Sequence, residues 1–458
     1  MEPDKGGTTL EKTQNPMGVK PVLPLLLNMA FPPMLSMLIQ SLYNIVDSMF
    51  VARLSGEALT AVSLAFPLQN AVLAVAVGTG VGVNACVSKY LGAGDRESAN
   101  RSACHGLLFT ALHSVLFILV GLFLSGPFLS LYTQDPVVYE MGLSYSRIVI
   151  TLSFGSLFHI LIEKILQATG NMVVPMIMQG VGALTNIILD PVMIFGWGPI
   201  PAMGVSGAAI ATIIGQFLAC ALSFWFFWRV KDGVRFDFSG FALSRAHAAG
   251  IYGVALPSTA MNLMPSVLVS ILNAILAPIS QAAVAVLGLY FKTQTFVNMP
   301  TNGMIQAMRP IIGYNYGARL NGRLHQAIRC GLGVAALMLG LGSLLFMALP
   351  GWLLSLFDAQ GEILSLGVSA FRLIGLSFIL STLGIVFSGA FEALGQGAQS
   401  LAISLLRQLL IIPALSLLLI PLMGLNGMWI TFPIAEAVSS LAALLIWKQS
   451  QRKLGIAA

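Results

Sequence analysis

Twelve long apolar runs, parted only by short polar breaks, are the feature that most limits what this chain can fold into. They lie at 23–52, 60–87, 102–124, 141–168, 173–197 and 204–228, then at 246–276, 281–308, 327–350, 362–391, 398–421 and 424–447. A helix needs roughly 20 apolar residues to cross the hydrocarbon core of a bilayer, and each run reaches that length. In lipid every backbone N–H and C=O must find its partner within the protein, which a helix achieves alone. The expected fold is therefore an all-α polytopic membrane protein of twelve transmembrane helices. Composition agrees: 57% of the 458 residues are hydrophobic and 9% are charged, against roughly a quarter charged in soluble domains.

Six runs precede a polar stretch and six follow it. The expected organisation is an N-terminal tail (1–22), a first six-helix lobe (23–228), a linker (229–245), a second six-helix lobe (246–447) and a C-terminal tail (448–458). The first 20 residues are polar and mixed in charge, and the first apolar run is too long for a cleavable signal peptide. Cys86, Cys104, Cys220 and Cys330 stand apart with no CxxC spacing, so neither a disulfide framework nor a zinc site is expected.

The formal net charge of +6 does not point to nucleic acid, because the basic residues alternate with the helices instead of clustering. With the N-terminus placed in the cytoplasm, 17 of the 23 Lys and Arg residues fall on the inner side, among them Lys5, Lys12, Lys231 and Arg309. Only Arg53, Arg147 and Arg372 fall outside, while Lys164, Lys292 and Arg407 lie within spans. By the positive-inside rule both termini are cytoplasmic, in the inner membrane of a bacterium.

The two halves repeat. At an offset of 225 residues Ala30 matches Ala255, Pro32 matches Pro257, Ser55 matches Ser280, Gly78 matches Gly303, and Gly92-Ala93 matches Gly317-Ala318. Later the offset shortens to 220 and pairs MGVSGAAI (203–210) with MGLNGMWI (423–430). Six helices per repeat is an even number, so both halves enter the membrane in the same sense. They form two pseudo-symmetric six-helix bundles about an axis along the membrane normal, with a cavity between them. Alternating access gives a reason for such a repeat; a channel gives none.

A charge at mid-bilayer costs at least about 2.5–3.5 kcal/mol on insertion scales, so each one inside a span needs a partner, a wet cavity or a task. Gln40, Tyr43, Asn44 and Asp47 share one face of the first helix. Asp190 lies one turn beyond Asn186 on the fifth helix, before Pro191. The first and fifth helices run in the same direction and carry Asp47 and Asp190 late, so the two carboxylates meet at a similar depth. Thr212 on the sixth adds an oxygen. Such hard oxygen ligands suit H⁺ or Na⁺; the competing reading is a structural pair satisfied by amides and water. At the equivalent positions the second half has Leu272 and Leu415. It carries instead Lys292 with Glu436 and Arg407 with Glu392, expected as two neutral ion pairs. Glu163 and Lys164 also cancel, and Glu163 either lines the cytoplasmic mouth or reaches water from a helix end. A net −2 is left on the first lobe, where a coupling cation should bind. No GxxxxGK[ST] run supports direct ATP coupling.

QSLYNIVDSMFVARLSG, KYLGAGDRESA, NIILDP and GVSGAAIAT, in this order within two like halves, resemble the multidrug and toxic compound extrusion (MATE) family over essentially the whole chain after residue 20. The resemblance implies a non-enzymatic antiporter that exports amphipathic, often cationic drugs in exchange for H⁺ or Na⁺, with no cofactor beyond that ion. It places the cation site on Asp47, Asn186, Asp190 and Thr212, and the drug cavity on Gln40, Tyr43 and Asn44. One branch of the family carries an acid on helix 7 shortly after a proline; here Pro257 is followed by STAMN, so that second site is not expected. The expected partners are small-molecule substrates and membrane lipid, with the protein acting as a monomer. The competing reading is a lipid-linked saccharide flippase or another porter of related architecture, whose cavity would be lined by several arginines.

Overall fold

The computed structural model describes residues 15–229, 233–239 and 241–456; Lys5, Lys12 and Lys231 lie outside them. Among the described residues twelve long helical segments follow one another, ten of them, or eleven with the bent α4, long and apolar enough to cross a membrane: α1 (Val22–Ala52), α2 (Gly56–Gly92), α3 (Arg96–Ser130), α4 (Pro136–Thr151 and Phe154–Ala168, bent by 43°), α5 (Val173–Phe195) and α6 (Val205–Arg229). The second lobe holds α7 (Arg245–Leu276), α8 (Gln281–Gly317), α9 (Asn321–Ala348), α10 (Gly361–Leu380 and Thr382–Ala393), α11 (Gly397–Met423) and α12 (Leu425–Leu454). α8 is the least apolar of them, with Lys292, Gln294, Asn302, Gln306 and Arg309 along it; it is kept largely among protein rather than lipid.

The repeat is visible element by element. α2 and α8 are both 37 residues long, and each begins after a serine whose hydroxyl accepts the third following backbone N–H at 3.1 Å, Ser55 from Ala58 and Ser280 from Ala283. Such a cap satisfies an N–H that the helix leaves orphaned. At about 1.5 Å per residue these helices are near 55 Å long, well beyond the apolar runs that revealed them. The chain ends each time with a left-handed residue, Gly94 (φ 76°) after α2 and the equivalent Arg319 (φ 58°) after α8. Glycine enters that region freely, whereas arginine does so at a cost.

The described parts of both tails and of the linker gather at one end of the bundle, hereafter the tail end. There Arg323 and Asn315 donate to the Met17 carbonyl, Asn321 donates to that of Gly455, and the Cys104 thiol donates to that of Asp237. At this end the lobes are fused. One apolar cluster joins Met17, Leu26 and Ala30 to Ile311, Phe387 and Trp447; another joins Val83 and Ile165 to Ile251 and Ala255. At the far end each cluster stays within its own lobe, around Val51, Ala65 and Tyr145 in the first and around Leu272, Tyr290 and Phe346 in the second.

The seam runs through α2 against α7, α1 against α8, and α2 against α8. It obeys the pseudo-twofold: Gly78 packs on Thr259 as Gly303 packs on Met34, and Gly92 lies on the Tyr314 carbonyl as Gly317 lies on that of Lys89. Side chains at these glycines would collide with the facing backbone, so the close crossing depends on their absence. Outward-facing stripes such as Leu112, Val115, Leu116, Leu119 and Phe123 on α3 are exposed. Their i, i+3, i+4 spacing forms a lipid-facing band.

Candidate functional site

Closure at the tail end and separation at the far end leave a cavity of about 960 Å³ between the lobes, at the upper limit of the ~300–1,000 Å³ usual for small-molecule sites. Gln40, Tyr43, Asn44 and Asp47 all line it from α1, as their common face requires. Asn186 and Thr212 line it from α5 and α6. Asp190 stands just behind them, fully buried.

Asn186 holds the group together. Its Nδ2 donates to Asp190 Oδ1 and to Thr212 Oγ1, both at 3.2 Å. Asp47 and Asp190 come within hydrogen-bonding reach of each other. Both tyrosine hydroxyls nearby, Tyr43 and Tyr145, lie in the field of the two carboxyl groups, and Gln69 donates to the Tyr145 hydroxyl at 3.2 Å. Three acceptor oxygens, Asp47 Oδ1, Asp190 Oδ2 and Asn186 Oδ1, are buried without a donor. Among the described residues no lysine, arginine or histidine acts on either aspartate. An unsatisfied buried acceptor costs about 1–3 kcal/mol, and more when charged. A cluster of three therefore calls for something positive: a proton shared between the carboxyls, or a small hard cation among the oxygens. At the pseudo-equivalent place Leu272 is buried in an apolar cluster.

The second lobe's charges are arranged otherwise than expected. Arg407 pairs with Glu436, its Nη1 donating to both carboxylate oxygens at 3.2 and 3.3 Å. Glu392 pairs with Arg309. Lys292 joins neither pair and is exposed, so the expected Lys292–Glu436 and Arg407–Glu392 pairs are wrong. Helix rotation is the reason for the first: Tyr290, two residues before Lys292, packs on Phe432 and lies in the field of Glu436, which leaves Lys292 turned outward. The apolar run ends at residue 308, which puts Arg309 beyond the span in the sequence, whereas α8 continues to Gly317.

A polar floor closes the cavity toward the tail end. Lys164 donates to Glu163 at 2.8 Å, to Gln167 at 3.1 Å and, across the seam, to Gln306 of α8 at 2.8 Å. Gln167 donates to Glu163 at 2.8 Å. Glu163 is thus neither a free mouth residue nor a snorkelling end charge; it is the buried counterion of Lys164. Gln167 and Gln306 carry no charge, so nothing in the hydropathy pattern marked them. The 225-residue offset does relate Gln167 to Glu392 and Asn84 to Arg309, a signal that would have located the floor.

A family model described as MatE matches the chain twice, at residues 32–192 and 257–417. The chain belongs to the MatE family. The two matches begin and end 225 residues apart, the offset at which the helices and the seam superpose. Among relatives of this MatE chain is a protein named FAD transporter from Shewanella oneidensis, 27% identical over 437 residues and covering 92% of this chain and 93% of that one. Another is the multidrug export protein MepA of Staphylococcus aureus, 25% identical over 428 residues, with 93% of each chain covered. A solved structure described as the outward-facing conformation of a multidrug resistance MATE family transporter of the MOP superfamily superposes with a TM-score of 0.90 at 25% identity. That likeness covers 97% of this chain and 99% of the other. The protein is a multi-pass membrane transporter with the twelve-helix, two-lobe MatE architecture.

Proposed function

We propose that this MatE chain is a cation-coupled antiporter that exports amphipathic, often cationic drugs from a bacterial cytoplasm across the inner membrane, acting as a monomer surrounded by lipid. The tail end, with its excess of Lys and Arg, faces the cytoplasm, so the present conformation opens outward. The coupling site consists of Asp47, Asn186, Asp190 and Thr212, and Gln40, Tyr43 and Asn44 line the adjoining drug cavity. The observation that carries this reading is the half-buried Asp47 beside the buried Asp190 and Asn186, with three unpartnered oxygens among them and no basic neighbour among the described residues. The relative named as a multidrug export protein supports the choice of cargo.

Exchange follows from charge. With the site deprotonated or empty of Na⁺, the wall beside Asp47 is negative and attracts a cationic drug. H⁺ or Na⁺ arriving from outside neutralises that wall, releases the drug and permits closure. Ethidium efflux from proteoliposomes under an imposed H⁺ or Na⁺ gradient tests this. Asp47→Asn and Asp190→Asn should each abolish gradient-driven efflux, and the double variant should be little worse than either. Full efflux by the Asp47→Asn protein would refute the coupling site.

A further inference from the structure

Three lysine and arginine side chains line the cavity: Lys164, Arg309 and Arg407. Lys164 has one acceptor for each of its three ammonium hydrogens. Arg309 is tied to Glu392, with its Nε sealed from solvent. Arg309 too is held through one nitrogen, Nη2, but its counterion Glu392 lines the cavity beside it; Arg407 differs from both. Only its Nη1 is engaged, and no other hydrogen bond of the guanidinium forms among the described residues. Arg407 lines the cavity while its counterion Glu436 does not; the side chains are 22% and 14% exposed. The guanidinium therefore stands between a half-buried carboxylate and open space, with Nε and Nη2 donors to spare.

The backbone is shaped at the same point. Leu406–Ile411 of α11 is a π-helical turn, whereas the equivalent stretch of α5 around Gly182 is regular α-helix. Such turns often mark functional positions, because the wider turn displaces a side chain from its regular direction. The offset relates Arg407 to Gly182, which lines the opposite part of the cavity. One wall thus carries two uncompensated aspartates and the other a guanidinium with unused donors.

We propose that Arg407 is an oxyanion subsite of this cavity, which takes the carboxylate of an aromatic amphipathic cargo that also carries a cationic nitrogen. The carboxylate lies in the fork of Arg407, which suits that group's geometry, and the cationic end faces Asp47. The inference rests on the drug-cavity reading above, whose failure the test separates. Rhodamine 110, a zwitterion, and rhodamine 123, its methyl ester and a simple cation, differ only at the carboxyl group. Their equilibrium binding to the purified protein in detergent is measured by fluorescence anisotropy, without any gradient.

Arg407→Gln alone leaves the half-buried Glu436 unpaired, so the decisive variant is Arg407→Gln with Glu436→Gln, which removes both charges and nearly preserves volume. Losing a charge-assisted hydrogen bond should weaken rhodamine 110 by about tenfold relative to rhodamine 123. Arg407→Lys should fall between the two proteins. An affinity ratio of the two dyes that is the same in the double variant as in the unaltered protein would overturn the anion subsite and leave the drug cavity standing. Saturable binding of neither dye to the unaltered protein would overturn both.

Discussion

Alanine at Gly317 is the sharpest perturbation of the two-lobe arrangement. A Cβ there would overlap the Lys89 carbonyl oxygen, and one at the equivalent Gly92 would overlap that of Tyr314. Both obstacles are backbone, so no side chain can turn aside, and α2 and α8 have to part where they cross at the tail end. At the neighbouring contact a Cβ on Gly303 would lie 2.8 Å from the Met34 nitrogen. Relaxed carbon contacts are about 3.5–4.0 Å, so α1 and α8 would have to separate by roughly 1 Å there. Overpacking of this kind costs about 1–3 kcal/mol. It falls only on the state in which the tail end is closed, so the population of that state should drop by about 5- to 150-fold relative to the alternative. Spin labels on cysteines at Glu57 and Ile279, both exposed at the far end, in a background lacking the four native thiols, report the opening directly. Gly317→Ala should shift the distance distribution toward short separations, and Gly92→Ala should shift it alike. An unchanged distribution in a folded Gly317→Ala protein would refute the seam as the closed gate.

Arg407→Gln or Glu436→Gln should each lower thermal stability in detergent by up to about 3 kcal/mol, and the double variant by less, because a lone buried charge is costlier than none. Strictly additive losses would contradict the pairing. Lys292→Gln should stay within about 0.5 kcal/mol of the unaltered protein, since it breaks no ion pair. Gln306→Ala removes the acceptor by which Lys164 reaches the other lobe and should weaken tail-end closure by about 1.5 kcal/mol, visible in the same spin-label distances. Arg319→Gly should stabilise the α8–α9 turn by about 1 kcal/mol, against which no change in the melting curve would count.

The helices, their number and their twofold kinship were readable because hydropathy and a fixed offset are long-range signals, repeated over hundreds of residues. Asp47 and Asp190 were readable for a different reason. A charge in an apolar run is conspicuous, and parallel helices entered from the same side set its depth. Partner choice in the second lobe was not readable, because it depends on helix rotation and on where a helix ends. Hydropathy falls where the chain leaves lipid, near residue 308, while α8 continues to Gly317 and brings Arg309 to Glu392. The π-helical turn that sets Arg407 beside Glu436 likewise has no sequence mark. Gln167 and Gln306 leave no mark in hydropathy, because a neutral amide scarcely disturbs an apolar average.

The central claim is that drug and coupling cation bind alternately to one carboxylate site, and equilibrium linkage tests it without any flux. Ethidium carries a fixed charge, so any dependence of its affinity on pH or Na⁺ belongs to the protein. Reciprocity requires that a cation which expels the drug be expelled by it to the same factor. Titrating ethidium into the purified protein should therefore give weaker binding as pH falls or as Na⁺ rises. The Asp47→Asn, Asp190→Asn protein should show a flat response to both. If unaltered and doubly substituted proteins bind ethidium with the same dependence on pH and Na⁺, the aspartates are not where the exchange takes place.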